Sequence, residues 1–365
     1  MRTRHLRRPV VGALSLVLLA AACGSDDETS TTPATDGGGT VEGGVEGGGE
    51  GQATEEAATS SETLTLGYSA WPGWFPLAVA EEAGIFEEVG LDVDLRFFAD
   101  YLGSLDAMAA GQLDGNTQTL NDTMFSDASG SDQVIVVVND NSTGNDAIIC
   151  DESVTSIEDL EGRTVAAEPG VVDHFLLLQG LESVGLTEDD IDFRGVLTGD
   201  AAAGFAAGEF DCVGVFAPFT VQALEREGSA VLFDSADFPG TIPDHIVVSP
   251  ELIAERPGDV QALVDAWYLT LDYIEDNPEE SIAIMADVAE VSPEEYEAFA
   301  EGTTLFSLED ALAAFEDGDD TSSLQFTADL INPFLVESGL SETEADLEGL
   351  FDPSFTQDYA ERVGG

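Results

Sequence analysis

A loop with two tryptophans follows the first predicted strand, within the stretch Leu64 to Phe86 (LTLGYSAWPGWFPLAVAEEAGIF). Trp71 and Trp74 lie between that strand and the next predicted helix. Loops at the carboxyl ends of strands in an open α/β sheet form ligand clefts, and tryptophan faces bind flat or cationic groups. We therefore expect both rings to face a ligand. The alternative is that they only pack in the hydrophobic core, as large aromatic side chains commonly do.

The composition excludes two kinds of catalysis. All 10 residues of the Lys and Arg class are arginines, so the chain has no lysine for a Schiff base or for a Walker A phosphate loop. It also lacks a G-x-S-x-G nucleophile segment, and only His174 and His245 follow the N-terminal region. We expect a chain that is not an enzyme and uses no cofactor.

Two Asp-His pairs raise a zinc site as an alternative. Asp173-His174 and Asp244-His245 supply two imidazoles and two carboxylates, which are ligand types that zinc takes. Their spacing is not that of a compact zinc motif, so we assign no metal ligand and keep zinc binding as an alternative function.

The chain is strongly acidic. It has 74 Asp and Glu against 10 Arg, a formal net charge of −64. Such a surface argues against nucleic-acid binding, which needs cationic patches, and against docking on anionic lipid through a basic face. A self-repelling surface suits a high-salt habitat, where screening is strong. That habitat is a hypothesis.

The N-terminal region has the pattern of an export signal. In residues 1–22 a basic start precedes the apolar run Val10 to Leu19 and a small-residue stretch. Cys23 follows, which resembles a lipoprotein processing site, although Ala20 stands where that motif prefers Leu. We expect a lipid anchor on Cys23, with ordinary cleavage after Ala22 as the alternative. Residues 23–62 are rich in Gly, Thr and Glu and predict a disordered acidic tether.

From Thr63 onward the predicted strands and helices alternate, which indicates an α/β fold. Val134 to Val138 predicts a buried strand of the parallel type, followed by a polar loop at Asn139 to Asn145. AAGQLD at 109–114 matches AAGEFD at 206–211, and VGL at 89–91 matches VGL at 184–186, with offsets of 97 and 95 residues. This internal repeat predicts two similar lobes. After Ile246-Val247-Val248 the pattern becomes helical, and the first of these helices is predicted at Val260 to Asn277.

Several spaced segments together resemble one family. They are YSAWPGWFPLAVAEEAGIFEEVGLDVDL, AAGQLDGNTQTLND, NDNSTGNDAII, LEGRTVAAEPGVVDHFLL and AAGEFDCVGVFAPF. In this order they resemble the nitrate/sulfonate/taurine and thiamine-precursor binding family of ABC-importer substrate-binding proteins, from about Thr63 to Ser338. The resemblance implies a two-lobed periplasmic-binding-protein-like fold of type II, with hinge strands between the lobes and a helical C-terminal part. Lobe 1 would span 63–146 plus 247–365 and lobe 2 would span 147–246, and the two would close around a ligand.

The resemblance also implies a function and partners. The chain would be an exported, monomeric solute-binding lipoprotein, anchored at the outer face of the plasma membrane or periplasmic. It would deliver a small organic nitrogen or sulfur compound (sulfonate/taurine-like or pyrimidine/amine-like) to the permease and ATPase of an ABC importer. No arginine falls among the implied contacts, so we favour an organic nitrogen compound over an inorganic anion. A transporter-independent sensor or scavenger is the alternative.

Carried over from the family, the implied ligand contacts lie at strand ends, at one helix N-terminus and at the crossovers between lobes. They are Ser69, Trp71, Trp74, Gln118, Thr119, Asn121, Asn145, Asp146, Gly170, Val171, Val172, Phe216, Phe219, Asp244 and His245. The helix that begins near Val171 would offer free N–H groups to an anionic or carbonyl oxygen. For His245 the alternative is a purely structural histidine.

Cys150 and Cys212 are the only cysteines besides Cys23. An exported chain permits a disulfide, and the family fold implies that the strands at Cys150 and Cys212 are neighbours in lobe 2. We expect a disulfide between them, with two free thiols as the alternative.

Overall fold

The computed structural model describes residues 58–364. The expected signal peptide, the Cys23 anchor and most of the expected tether lie outside these residues. Ser60, assigned to the disordered tether, donates its hydroxyl to Asp259 Oδ2 at 2.6 Å, so the ordered chain begins earlier than predicted. Within residues 58–364, no helix is both long enough and apolar enough to cross a membrane.

Strands and α-helices alternate through the first two thirds of the described chain, and helices dominate the rest. In chain order the strands are β1 (Leu64–Ser69), β2 (Val93–Phe98), β3 (Gly115–Thr119), β4 (Val134–Ser142), β5 (Asp146–Cys150), β6 (Thr164–Ala167), β7 (Asp192–Gly195), β8 (Cys212–Phe216), β9 (Ala230–Asp234), β10 (Pro243–Val248) and β11 (Thr303–Leu305). The helices are α1 (Pro76–Glu82), α2 (Ile85–Glu88), α3 (Tyr101–Ala109), α4 (Leu120–Ala128), α5 (Val172–Ser183), α6 (Thr198–Ala206), α7 (Phe219–Leu224), α8 (Pro250–Glu255), α9 (Pro257–Asp276), α10 (Pro278–Val288), α11 (Pro293–Ala300), α12 (Leu308–Phe315), α13 (Leu324–Glu337) and α14 (Ser354–Val363).

The strands form two mixed sheets. The first has the order β11-β4-β10-β3-β1-β2 and the second has the order β7-β6-β8-β5-β9. In the first sheet β1 pairs parallel with β2 and β3, while β10 lies antiparallel between β3 and β4. In the second sheet β6 pairs parallel with β7 and β8, while β5 lies antiparallel between β8 and β9. Each sheet therefore contains one interior antiparallel strand, and the chain reaches that strand by crossing from the other sheet.

The sequence prediction was wrong at β4. This strand continues through Ser142, so Asn139, Asp140 and Asn141 are strand residues and not part of a loop. The strand pairs antiparallel with β10 and β11, so the parallel type was also wrong. Polar residues usually indicate a loop, but here backbone pairing on both sides extends the strand. Asp140 pairs with Asp244 on one side and with Leu305 on the other.

The internal repeat has a structural counterpart. Asp114 accepts a hydrogen bond from the Thr65 N–H at 2.8 Å, which holds the start of β3 against β1. Asp211 accepts one from the Thr164 N–H at 2.9 Å, which holds the start of β8 against β6. The repeated aspartate therefore has the same role in both sheets, and the two sheets share one plan.

Two crossovers join the sheets, residues 143–145 and residues 235–242. The Ser142 and Ser235 hydroxyl oxygens lie 2.7 Å apart, and the Gly144 N–H donates to Ser235 Oγ at 2.7 Å. The crossovers are therefore bonded to each other. Because β10 begins at Pro243 in the first sheet, the chain re-enters that sheet slightly before the expected limit of lobe 2. The lobe limits stay a prediction.

A disulfide lies in the middle of the second sheet. Cys150 on β5 is paired in register with Cys212 on β8, and their sulfur atoms are 1.97 Å apart. Both residues are buried. The bond closes a loop with a sequence separation of 62 residues.

Candidate functional site

A small cavity lies where the strand ends of the two sheets meet. Its volume is about 10 Å³, which is the scale of one water molecule. The first sheet contributes residues at and after the ends of β1, β2 and β3 and at the start of β10, and the second contributes the starts of β5 and α5 and the end of β8. The lining residues are Trp71, Trp74, Tyr101, Thr119, Asp146, Val172, Phe216 and Asp244.

The loop after β1 folds tightly enough to bring both tryptophans to the cavity. The Trp71 carbonyl accepts hydrogen bonds from the N–H groups of Trp74 at 3.0 Å and Phe75 at 3.2 Å. Pro76 then begins α1, where its lack of an N–H has no cost. Trp71 and Trp74 are both buried and line the cavity. They therefore pack in the hydrophobic core and also face the candidate site.

Four aromatic rings form a closed circuit of contacts, which we call the aromatic wall. Ring centroids are 6.3 Å apart for Trp71 and Trp74, and 5.2 Å apart for Trp74 and Tyr101. They are 6.1 Å apart for Tyr101 and Phe216, and 6.5 Å apart for Phe216 and Trp71. Phe219 packs on Phe216 at 5.5 Å but is not among the residues that line the cavity. The aromatic wall therefore joins residues of both sheets.

Two carboxyl groups line the cavity and a third is paired with one of them, and we call the three the acid cluster: Asp146, Asp244 and Asp140. Each is at most 1% exposed. Asp140 Oδ1 accepts the Trp71 Nε1–H at 3.0 Å. Among residues 58–364, Asp140 Oδ2, Asp146 Oδ2 and both Asp244 side-chain oxygens receive no hydrogen bond from an N–H or hydroxyl donor. In its ionised form the acid cluster therefore offers unused acceptors to a ligand.

The three carboxyl groups of the acid cluster have raised pKa values. Burial raises the pKa of Asp140 to about 8 and that of Asp146 to about 7. Burial also raises the pKa of Asp244 well above its ordinary value, and the charges of Asp140 and Asp146 add to that rise. Asp140 and Asp244 face each other across paired strands, so a protonated Asp244 can donate to Asp140. Near the cluster, burial raises the pKa of Asp122 to about 7, although the Thr119 hydroxyl donates to it at 2.7 Å.

No arginine of the described chain lines the cavity. Arg163 donates to the hydroxyl of Ser153. The other arginines form ion pairs elsewhere: Arg96 with Asp94, Arg194 with Asp192, Arg226 with Asp151, Arg256 with Asp259, and Arg362 with Asp265. The cavity therefore has buried acids without a basic side chain to balance them.

Several predicted contacts make bonds within the protein and do not line the cavity. Gln118 Nε2 donates to the Thr123 hydroxyl at 2.8 Å, and that hydroxyl also bonds His245 Nε2 at 2.8 Å. Burial lowers the pKa of His245 to about 3, which fits the structural alternative for this histidine. Asn121 donates to Asp122 at 2.8 Å. The hydroxyl of Ser69 is buried without a partner among residues 58–364.

Asn145 also bonds within the protein. Its side-chain amide donates to the Phe299 carbonyl at 2.7 Å and to the Thr303 hydroxyl at 2.8 Å. It therefore holds the first crossover against β11, and its side-chain donors are not directed at the cavity.

The chain itself satisfies part of the expected oxygen-binding helix N-terminus. Asp173 accepts the N–H groups of Glu168 at 3.2 Å and of His174 at 3.1 Å. The Gly170 N–H donates to His174 Nδ1 at 3.1 Å. Gly170 and Val171 line a separate groove beside α3 and α4, and only Val172 of this segment lines the cavity. A contact through the Gly170 N–H is therefore not supported, whereas the contacts expected at Val171 and Val172 stay a prediction.

The zinc alternative has no matching geometry. His174 Nε2 bonds Glu188 at 2.6 Å, whereas His245 bonds Thr123. In the described part of the chain no group of three or more His, Cys, Asp or Glu side chains could hold a metal ion.

Sequence reasoning missed two residues of the site. Tyr101 follows the end of β2 at the same sheet edge as Trp71, so the strand-end rule could have found it. Asp140 was passed over because its segment was interpreted as a loop. Its position opposite Asp244 depends on strand pairing, which no local sequence signal gives.

Comparisons with known proteins place the chain in a family. The model of the NMT1-like family matches residues 57–290. A Brucella abortus (strain 2308) protein named as a binding protein is 27% identical over 277 residues, which are 74% of this chain and 85% of that protein. An Escherichia coli (strain K12) protein named as an aliphatic sulfonates-binding protein is 28% identical over 236 residues, which are 63% of this chain and 72% of that protein.

A solved structure shares the fold. The alkanesulfonate-binding protein SsuA from Xanthomonas axonopodis pv. citri, bound to MOPS, matches with a TM-score of 0.68 at 18% identity, over 81% of this chain and 100% of that chain. The expected periplasmic-binding-protein-like fold is therefore confirmed. The relatives are named for binding and not for catalysis, in agreement with the expectation from the sequence.

Proposed function

The chain belongs to the NMT1-like family, and from this we propose that it is an extracytoplasmic solute-binding protein of an ABC importer. It binds a small organic nitrogen or sulfur compound between its two sheets and delivers it to the permease and ATPase of the importer. Lobe closure around the solute gives the transporter a shape to recognise. The names of the Escherichia coli and Xanthomonas proteins, which refer to sulfonates, support a solute of this size.

One observation carries this proposal. The cavity is assembled from both sheets, with Trp71 and Asp244 from the first and Asp146 and Phe216 from the second. A site divided in this way is completed only when the sheets approach each other. The two crossovers, bonded through Ser142 and Ser235, are the places where such a movement can pivot. Apolar walls with a few convergent polar groups are typical of small-molecule sites.

We also propose that Cys23 carries a lipid anchor and that residues 23–57 tether the binding unit to the outer face of the membrane. The support is the small-residue stretch before Cys23 and the Gly-rich, acidic composition after it. Fractionation of the producing cells tests this. The full chain should sediment with membranes, and a Cys23→Ala variant should be released. Equal distribution of both proteins would contradict the anchor.

A thermal-shift screen on the purified protein tests solute binding. The panel holds alkanesulfonates, taurine, nitrate, pyrimidines, amines and amidines. A solute at about 100 times its dissociation constant stabilises the folded state by about 2.7 kcal/mol, which gives a measurable rise in melting temperature. A Trp71→Ala variant should lose that rise, while an exposed-site control, Leu330→Ala on α13, should keep it. A rise that survives Trp71→Ala would place the solute outside the cavity.

A further inference from the structure

We propose that the solute is a small organic cation with N–H donors, such as a primary ammonium or an amidinium, held by the acid cluster inside the aromatic wall. This inference rests on the proposed function, because it names the chemical class of the solute that the same cavity takes. It goes against the sulfonate named for the relatives.

The first argument is charge balance. Asp146 and Asp244 line the cavity, and Asp140 is paired with Asp244 on the neighbouring strand. In the part of the chain that the structure describes, no arginine is near enough to line the site, and the sequence contains no lysine. A sulfonate or nitrate would add a further negative charge to a buried acidic site with no cation to pair it. An organic cation would instead provide the missing positive charge.

The second argument is the unused acceptors. Asp146 Oδ2 and both Asp244 oxygens are buried and accept no hydrogen bond from the N–H or hydroxyl donors of residues 58–364. A buried polar atom left without a partner costs free energy. The N–H groups of an ammonium or amidinium supply donors to these oxygens, and charge-assisted bonds of this kind are the strong ones. A sulfonate offers only acceptors.

The third argument is the aromatic wall. Trp71, Trp74, Tyr101 and Phe216 contact one another in a closed circuit around the same cavity. Ring faces attract cations through their quadrupole, and the attraction grows when water is excluded. Trp74 Nε1–H has no acceptor among the described residues, so the same solute has a place for one acceptor atom.

Protonation of the acid cluster opposes binding of the cation, so the affinity for the cation should increase as pH rises from 6 to 8.5. The pKa values of Asp140 (about 8) and Asp146 (about 7) lie in this range because of burial. Each proton released on binding gives up to about a tenfold change in affinity per pH unit. The titratable groups around the acid cluster are Tyr101, Asp122, Glu168, Asp173, His245 and Tyr296.

Calorimetry and thermal shift at pH 8.5 test the inference with size-matched probes. These are propylammonium and acetamidinium as N–H cations, tetramethylammonium as a cation without N–H, and propanesulfonate and nitrate as anions. The N–H cations should bind saturably, tetramethylammonium more weakly, and the anions not at all. Asp244→Asn and Asp146→Asn should each weaken propylammonium binding at least about tenfold. Asp319→Asn, at an exposed acid, should leave it unchanged.

The Asp244→Asn and Asp146→Asn variants should stay folded, because each replaces a buried acid by a neutral side chain of the same shape. A loss of binding can therefore be assigned to the lost carboxylate. Without solute at pH 8.5, the Asp146→Asn variant should melt at a higher temperature than the unsubstituted protein, because the pKa of Asp146 is about 7. Saturable binding of propanesulfonate or nitrate, unaffected or strengthened in Asp244→Asn, would overturn the cation inference and leave the solute-binding function intact. The absence of any melting shift with compounds of either charge, in this panel and in the wider screen, would overturn both.

Discussion

Asp146 and Asp244 line a cavity of about 10 Å³, and Asp140 is paired with Asp244 beside it. All three carboxyl groups are buried. Buried charge without a partner is expensive, and the group responds by holding its proton. Such groups are uncommon in a core that serves only stability. Their cost is consistent with a site that is completed by a ligand, because a bound cation restores the ionised form.

The raised pKa values make the stability of the ligand-free protein depend on pH. Acids with a raised pKa bind more protons in the folded state than in the unfolded state. Their contribution to the free energy of unfolding therefore falls as pH rises from about 4 through about 8. Each such group contributes at most about 1.4 kcal/mol per pH unit within its own window. Urea unfolding at a series of pH values measures this fall.

The Asp146→Asn variant isolates one group in that pH series. Its free energy of unfolding should fall less steeply between pH 5 and 7 than that of the unsubstituted protein, because burial raises the pKa of Asp146 to about 7. Parallel curves for the two proteins would show that Asp146 titrates near its ordinary value.

Gly73 leaves no room for a side chain beside the acid cluster. A Cβ built at this position would lie 1.8 Å from Asp140 Oδ2. Gly73→Ala should therefore displace the tryptophan loop or the carboxyl group, and destabilise the fold by about 1–3 kcal/mol, as overpacking does. Gly103→Ala is the matched control, since its nearest neighbour would be 3.5 Å away. Equal urea midpoints for both variants would contradict this packing.

At the residue scale, the sequence supports the aromatic half of the site better than the acidic half. Trp71, Trp74 and Phe216 follow strand ends and can be predicted from that position. Asp140 belongs to the site because β4 extends beyond its apolar part and pairs with β10. Gln118 and His245 have the right residue types at the right strand positions, but their side chains bond Thr123. Side-chain direction within a buried polar network is not encoded in residue type.

At the scale of elements, the disulfide joins β5 to β8 in the second sheet. A closed loop with a sequence separation of 62 residues lowers the entropy of the unfolded chain and stabilises the fold by about 4 kcal/mol on the chain-entropy model. A Cys150→Ser/Cys212→Ser variant should lose a stability of this order in urea unfolding. Dithiothreitol should shift the unsubstituted protein toward the variant and leave the variant unchanged. A loss of stability below about 1 kcal/mol would mean that the unfolded chain retains structure even without the disulfide.

Long periodic helices and apolar strands were predictable because their patterns are local. The helices α9 to α13 agree with the helical pattern seen after residue 260. The strands β9 and β11 were missed. β11 has three residues, and its identity as a strand depends on pairing with the end of β4. Edge strands of this kind are specified by the partner they meet and only weakly by their own residues.

At the scale of the whole molecule, the net charge of −64 makes the folded chain repel itself. Salt screens this repulsion, with a Debye length of about 10 Å at 0.1 M and about 3 Å at 1 M. The melting temperature of the ligand-free protein should rise between 0.1 M and 2 M NaCl, and equally in KCl. A melting temperature that falls with either salt would contradict the high-salt hypothesis.

The acid cluster is also divided between the sheets, with Asp140 and Asp244 on the first and Asp146 on the second. At alkaline pH, closure of an empty cleft brings the negatively charged carboxylates of the acid cluster together. When the cleft holds a cation, closure instead brings the carboxylates toward an opposite charge. Repulsion between the same carboxyl groups that select the solute would thus oppose closure of the cleft in the absence of solute. Small-angle scattering without solute should give a larger radius of gyration at pH 8.5 than at pH 5.5, and Asp146→Asn should reduce that difference. A transporter that recognises the shut form would then engage few empty binding proteins, since occupancy and closure would be set by one electrostatic balance.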